Sequence, residues 1–367
     1  MKKISEITAI PLDQEPGIGS LTLAGFLAEV VEKHGPREAL CWSDRNGIRQ
    51  SWTYSEFFAQ SRQVAKSLLA SGVGKDSRVG VLISNRPEWL FCLFGIAMAG
   101  GVTVALNTFS TRHELKHQLS VSDVELVILE AEVASRQFVD DMFALCPELA
   151  EAAPGQLMTA ELPFLRRVVC IDQGHERPGL QDWPSFLAAG QFVADGLVNA
   201  LCVSISPIDQ GVVFFSSGST ALPKALLQTQ RAATLQCWRL GKLFRTDNST
   251  RTFPANGFFF SGNFAQAFGT LSTGGCLVLL RYFEPEKALE LIQREKVSCV
   301  VAWSHQEARL VECPGWQTAD FSAIKRVNYN SVFRSHPTVS TDWAGYNGFG
   351  MTETFTFVTA VTSGEMK

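Results

Sequence analysis

The sequence predicts an α/β fold of two α/β subdomains, with mostly parallel sheets covered by helices. Short β-rich runs, Arg78 to Ser84, Val124 to Glu130 and Val297 to Trp303, alternate with helical stretches along most of the chain. The strands read as continuous apolar runs between helices, the pattern of parallel sheets covered on both faces. At 367 residues the chain is long enough for about two domains and a sizeable core.

Taken in order, Thr53 caps a helix with Glu56 as its box partner, and Tyr54, Phe57, Phe58, Val64 and Leu68 form the apolar stripe of that helix. Trp89 to Leu106 is uncharged and reads, around Gly100-Gly101, as a buried helix turning into a buried strand. Pro147 to Pro163, rich in Ala, Glu and Pro, is a loop excursion, and Asp195 to Pro207 is the expected boundary between subdomains 1–205 and 206–367. Gly211 to Phe215 is an apolar strand. Phe253 to Leu280 is a second uncharged stretch, but Asn256, Asn263, Gln266 and several glycines would be costly in lipid, so it too belongs to the core. Pro285 to Glu295 is a helix feeding the strand at Val297.

Charge is nearly balanced, 32 basic against 36 acidic residues for a net of −4, and no Lys/Arg cluster marks a nucleic-acid face. The nine cysteines are scattered singly without a C-x-x-C pair, which disfavours a disulfide framework or zinc site and fits a reducing cytoplasm. Met1-Lys2-Lys3 is followed by acidic and polar residues rather than the apolar core of a signal peptide. The expectation is a cytoplasmic protein with no integral membrane span.

Two motifs carry chemistry. Ser216-Ser217-Gly218-Ser219-Thr220-Ala221-Leu222-Pro223-Lys224 follows the strand at Gly211 to Phe215. It offers backbone N–H groups, hydroxyl donors and one ammonium to a polyphosphate without bulk to hold the phosphates away. The Walker spacing is missing, and taken alone the loop is also compatible with a polar turn between two strands. Far downstream lies Asn347-Gly348-Phe349-Gly350-Met351-Thr352-Glu353-Thr354. Phe349 offers a flat ring for stacking, Gly350 a close backbone approach, Thr352 a hydroxyl and Glu353 a carboxylate able to hold a divalent cation. Alone, this segment also fits a capped helix start.

Both motifs, in this order, resemble those of the AMP-forming adenylating enzymes, the superfamily of acyl-CoA synthetases, peptide-synthetase adenylation domains and luciferases. Further matches are Trp52 to Phe57, Asn85-Arg86-Pro87-Glu88, Ala97 to Gly101, Pro207-Ile208-Asp209 and Phe283 to Leu289. The resemblance implies an adenylate-forming N-terminal domain, incomplete at its C-terminal end, with ATP, Mg²⁺ and CoA as cofactors. It implies that a carboxylic acid is activated to acyl-AMP and passed to CoA. The alternatives are a module that loads an acyl carrier protein and a non-catalytic nucleotide-binding protein. The family's mobile C-terminal lid domain, with its catalytic lysine, has no counterpart before Lys367, so the chain is expected to be impaired in thioester formation.

Carried onto this sequence, the catalytic positions are Lys224, Thr352 and Glu353, with Glu353 as metal ligand. The nucleotide site is Ser216, Ser217, Gly218, Ser219, Thr220, Lys224, Asn330, Ser331, Asn347, Gly348, Phe349, Gly350 and Thr352. The acid pocket is Phe258, Phe259, Phe260, Trp303, Val332, Phe333, Gly348 and Met351, where Gly348 leaves room for an acyl group. No acidic side chain stands among these, which disfavours amino acids and points to an apolar fatty, aryl or alicyclic acid. The sequence departs from the family at Ala221 and Ala225, where glycine is usual, at Gln230, where histidine is common, and at Phe349, where tyrosine is common.

Overall fold

The structure is a computed structural model that describes residues 10–11, 14–44, 47–175, 177–216, 222–328, 330–343 and 345–362. Its first strands are β1 (Glu38–Ser43), β2 (Arg49–Thr53), β3 (Arg78–Leu82), β4 (Val102–Ala105) and β5 (Leu126–Leu129). They are followed by the short pair β6 (Glu132–Val133) and β7 (Arg136–Gln137), then by β8 (Arg167–Cys170) and β9 (Leu180–Asp182). The remaining strands are β10 (Gln210–Ser216), β11 (Lys224–Thr229), β12 (Arg251–Pro254), β13 (Cys276–Leu279), β14 (Cys299–Val301), β15 (Tyr346–Met351) and β16 (Thr356–Thr362).

Twelve of these strands form two sheets, ordered β11-β10-β4-β3-β5-β8-β9 and β14-β12-β13-β1-β2. Each is parallel except for one antiparallel edge strand, β11 in the larger sheet and β2 in the smaller. The expected mostly parallel α/β architecture is therefore present. The subdomains are interleaved rather than consecutive: β1 pairs with β13, and β10 with β4, so each sheet draws strands from both sides of residue 205. Asp195 to Pro207, the expected boundary, is largely the helix Asp195–Ser204.

Strand side chains alternate between two apolar clusters. Val79, Val81 and Phe214 from the larger sheet meet Leu40, Leu277 and Val301 from the smaller in one central cluster. Helices Leu23–His34, Tyr54–Ala70, Pro87–Met98, Gln230–Leu243 and Ser261–Leu271 fill the space between, and two further clusters cover the outer faces. Every residue of Pro87–Met98 except Glu88 is buried, which explains why its sequence lacks a polar stripe. The Thr53–Glu56 capping box forms as read, with Thr53 N donating to Glu56 Oε2 at 2.8 Å. Gly100, at φ 82°, makes the tight turn that feeds β4.

The sheets meet at the C-terminal ends of their parallel strands. Glu130, fully buried after β5, accepts hydrogen bonds from Ser84 N (3.0 Å) and Ser84 Oγ (2.6 Å) and pairs with Arg86 Nη1 at 3.3 Å. It also pairs with Arg281, which follows β13 in the other sheet. Burial works against the Arg86 charge, but Glu88, Glu130 and Asp172 together outweigh it and raise its pKa. Asn85 completes the junction: its Nδ2 donates to Pro254 O (3.0 Å) and Asn256 O (2.6 Å), and its Oδ1 accepts from Phe258 N (3.2 Å).

Removing one member of a buried ion pair strands the other, at a cost of about 3–5 kcal/mol. Glu130→Ala should lower unfolding free energy by that amount in urea titrations. Asp195, 68% exposed in its pair with Arg62, should be replaceable by Ala with almost no shift in midpoint.

Candidate functional site

The first motif lies on an edge hairpin of the larger sheet. β10 ends at Ser216, β11 returns from Lys224, and the two residues are cross-strand partners. Ser217, Gly218, Ser219, Thr220 and Ala221 lie outside the described residues. Lys224 is exposed, and among the described residues its ammonium has no carboxylate or hydrogen-bond partner. His117 Nε2 lies 2.9 Å from the Pro223 carbonyl, on the return side of the loop. Ala225 is half-buried on β11. Gln230 is buried, with Oε1 accepting from Leu23 N at 2.9 Å and Nε2 donating to Gln210 O at 3.2 Å, so its work is to tie elements together.

The second motif is β15 and the 3-10 turn Thr352–Thr354 that leads to β16. Phe355 and Thr356 take left-handed φ values of 49° and 86°, and the Phe355 ring buries against Phe214 (5.5 Å) and Phe264 (5.7 Å). Gln236 Nε2 donates to Thr356 Oγ1 (3.1 Å) and Phe357 O (2.8 Å), while Gln228 Nε2 donates to Thr352 O (3.1 Å). These bonds bring Thr352 beside β11, the strand that returns from the first motif. Asn347 stands on β15 opposite Val361. Phe349 is 63% exposed and Met351 44%, and Glu353 is exposed on the turn.

Both glycines of this motif have reasons within the protein. A Cβ on Gly350 would lie 1.8 Å from Thr356 O, and one on Gly348 would lie 2.5 Å from the Phe357 ring. The space at Gly348 is thus taken by Phe357, which corrects the expectation that it opens room for an acid.

A cavity of about 390 Å³ lies where the sheets and the hairpin converge. Its aromatic walls are Phe215, Phe260, Trp303 and Phe357, and Thr352 reaches it from the second motif. Asn256, Asn263, Gln266 and Asn328 add carboxamides, and among the described residues no charged side chain lines it. The Phe260 and Trp303 rings are 4.9 Å apart. A second cavity, of about 520 Å³, shares Asn256 and Trp303 with the first and carries Arg136, Arg281, His305 and Arg309.

Of the acid-pocket residues, Phe260 and Trp303 line the first cavity. Phe258 does not: it is core, 5.0 Å from Trp89. Phe259 faces the second cavity. Met351 and Gly348 are not among the walls of either. Asn330 to Phe333, expected in the nucleotide and acid sites, lie on a turn and in the 3-10 helix Val332–Ser335, and none of them lines either cavity. Phe333 is buried against Trp316 (5.1 Å) and Phe321 (5.0 Å), and Val332 packs on the same outer cluster. Ser331 caps the turn and donates to Glu307 Oε1 at 2.9 Å, while Asn330 is exposed outside the cavity. Asn328, two residues earlier, takes the wall position. Reading the sequence for motifs missed the carboxamides as a group, although Asn256, Asn263 and Gln266 are the polar interruptions of an otherwise apolar stretch. Gln228, Gln236 and Phe355 carried no local signal, because their roles depend on a hairpin far away in the chain.

A family model described as AMP-binding enzyme matches residues 27–367, and the chain belongs to that family. YngI of Bacillus subtilis (strain 168) is 29% identical over 313 residues, 83% of this chain and 55% of that protein. Medium-chain acyl-CoA ligase ACSF2, mitochondrial, of Danio rerio is 29% identical over 205 residues, 56% of this chain and 33% of the relative. The chain spans about half the length of the curated relatives it matches, or less. In fold it is similar to the anthranilate CoA ligase AuaEII in complex with anthranoyl-AMP, at a TM-score of 0.79 and 18% identity, covering 98% of this chain and 65% of the other. Among the described residues no single helix is long and apolar enough to cross a membrane; the bent pair Trp183–Phe192 and Asp195–Ser204 reaches the threshold by length and composition alone.

Glu307, which holds Ser331 and the backbone N of Val332, has a pKa raised above 4.5 by burial, only partly offset by those two bonds. A raised carboxyl pKa contributes stability that is complete below the unfolded value and is lost as pH climbs through the folded one. Glu307→Gln should therefore melt at progressively higher temperature relative to wild type as pH rises above the ordinary glutamate range. A melting difference that does not change with pH would contradict this reading.

Proposed function

We propose that this AMP-binding enzyme chain carries the nucleotide and acid sites of a ligase that activates a carboxylic acid with ATP and passes the acyl group to CoA. The observation that carries the reading is the Gln228–Thr352 bond. It seats the second motif against the strand that follows the phosphate loop, over a cavity with aromatic walls.

In this reading a carboxylate oxygen of the acid attacks the α-phosphorus of ATP, the bond to the bridging oxygen breaks, and pyrophosphate leaves. Lys224, Ser216 and the loop 217–220 hold the β- and γ-phosphates, where charge builds on the leaving group. The Thr352 hydroxyl, at the cavity wall, donates to the α-phosphate. Phe349, exposed on β15, covers adenine, with Asn347, Gly348 and Gly350 supplying the adjoining backbone. Glu353 is exposed and among the described residues carries no ion pair, so it fits Mg²⁺, which takes one or two carboxylates plus phosphates and supplies charge neutralisation when bound. Phe260 and Trp303 flank the acid. The second cavity, which shares Asn256 and Trp303 with the first and carries Arg136, His305 and Arg309, suits the phosphates of CoA.

Two ligands separate these roles in calorimetry on this chain. An acyl-sulfamoyl adenosine mimics acyl-AMP but has no β- or γ-phosphate. A charge-assisted bond is worth about 1.5–3 kcal/mol, so Lys224→Ala should weaken ATP by about tenfold or more and leave the analogue unchanged. An equal loss for both ligands would remove Lys224 from the polyphosphate site. Glu353→Gln should raise the Mg²⁺ concentration needed for ATP binding; an unaltered Mg²⁺ dependence would show that Glu353 is not the ligand.

A further inference from the structure

The return limb of the phosphate loop rests on the helix Arg112–Val121, which belongs to neither motif. That helix is held at its start by a capping box, with Thr111 N donating to Glu114 Oε2 at 2.7 Å and Glu114 N to Thr111 Oγ1 at 3.3 Å. Farther along, the buried Gln118 amide donates to Ser110 Oγ at 2.9 Å, and Leu115 and Leu119 are buried in an outer cluster. Ala225 and its cross-strand partner Phe215 pack against that same cluster. Successive strand side chains alternate, so seating Ala225 on the outer side sends Lys224 and its partner Ser216 to the opposite face. His117 Nε2, 2.9 Å from the Pro223 carbonyl, supplies a second hold. The ring nitrogen that faces a carbonyl must carry the hydrogen, because two acceptors would repel, so His117 donates. That carbonyl shares one planar peptide unit with the N and Cα of Lys224, and the bond therefore fixes the plane from which the lysine side chain departs.

We propose that His117 is a positioning residue for adenylation: it fixes the peptide plane ahead of Lys224 and so aims the ammonium at the polyphosphate. His117 itself touches no phosphate in this scheme and acts through the lysine. Among the described residues no other group holds the Lys224 ammonium, so the position of its backbone decides where it can reach. A long side chain loses rotamer freedom when it meets a phosphate, and a backbone already held in place leaves less to be ordered at that moment. The inference rests on the reading of Lys224 as a polyphosphate ligand and adds the residue that sets its position.

The test is calorimetry on this chain with ATP and with the acyl-sulfamoyl adenosine, comparing His117→Leu, His117→Gln, Lys224→Ala and the double variant His117→Leu/Lys224→Ala. His117→Leu should weaken ATP by about threefold to tenfold, the worth of one neutral hydrogen bond, and leave the analogue unchanged. His117→Gln, whose carboxamide N–H can meet the same carbonyl, should stay within about twofold of wild type. In the Lys224→Ala background His117→Leu should cost less than about twofold more, because the group it positions is gone. Should His117→Leu fail to fold, His117→Phe, which keeps a ring and removes the donor, is read in the same way. Unchanged ATP affinity in the folded variant, or an equal loss for both ligands, would overturn the inference and leave the proposed function standing. So would a loss that glutamine does not recover, or one that is fully additive in the absence of Lys224. Lys224→Ala binding ATP as tightly as wild type, or wild type failing to bind ATP, would overturn the polyphosphate role of Lys224 and this inference with it.

Discussion

Glu130 is a fully buried carboxylate that holds Arg86 beside its own sheet and Arg281 from the other. Through it, and through Asn85 at the same junction, the C-terminal strand ends of both sheets are fixed relative to each other. In open α/β sheets those ends are where ligands bind, since loops there diverge and leave a crevice. Here the crevice has walls from two sheets, so its shape depends on their registration. Asn85 and Arg281 belong both to the junction and to the second cavity, which makes the clamp part of the site as well as of the fold.

The other requirement is the β15–β16 hairpin, which forms no part of either sheet. Among the described residues it is held to the body by the buried Phe355 ring, by Phe357 packed against the central cluster and by the amides of Gln228 and Gln236. Gly350 lets the two strands close, because any side chain there would meet the Thr356 carbonyl. Together these features place Thr352 at the cavity while Phe349 and Glu353 stay exposed beside it. Side chains that would face nucleotide and metal thus remain available because the anchoring is done by their neighbours.

Local signals in the sequence were sufficient for individual elements. Capping by Thr53 and Glu56, the largely apolar helix before Gly100 and the strand before Ser217 depend on neighbouring residues and can be read directly. Long-range pairing could not be read that way. β1 joins β13 across most of the chain, and parallel partners leave no turn signal between them. Phe258, Phe259 and Phe260 show the same limit at the site: three identical residues carry no periodicity, and the turn sends one to the core and one to each cavity. For Asn330 to Phe333 the resemblance implies a place in the nucleotide and acid sites, but Phe333 is drawn into the Trp316–Phe321 cluster, which pulls the chain into a 3-10 turn.

If two sheets and a separate hairpin build one site for an adenylate and its acyl group, a ligand there must protect all three together. Hydrogen–deuterium exchange on this chain, with and without a saturating acyl-sulfamoyl adenosine, tests that most directly. The expected result is concerted protection of three separated segments: the β10–β11 hairpin, residues 256–266, and residues 346–357. Protection confined to one of these segments, or appearing only elsewhere, would contradict it.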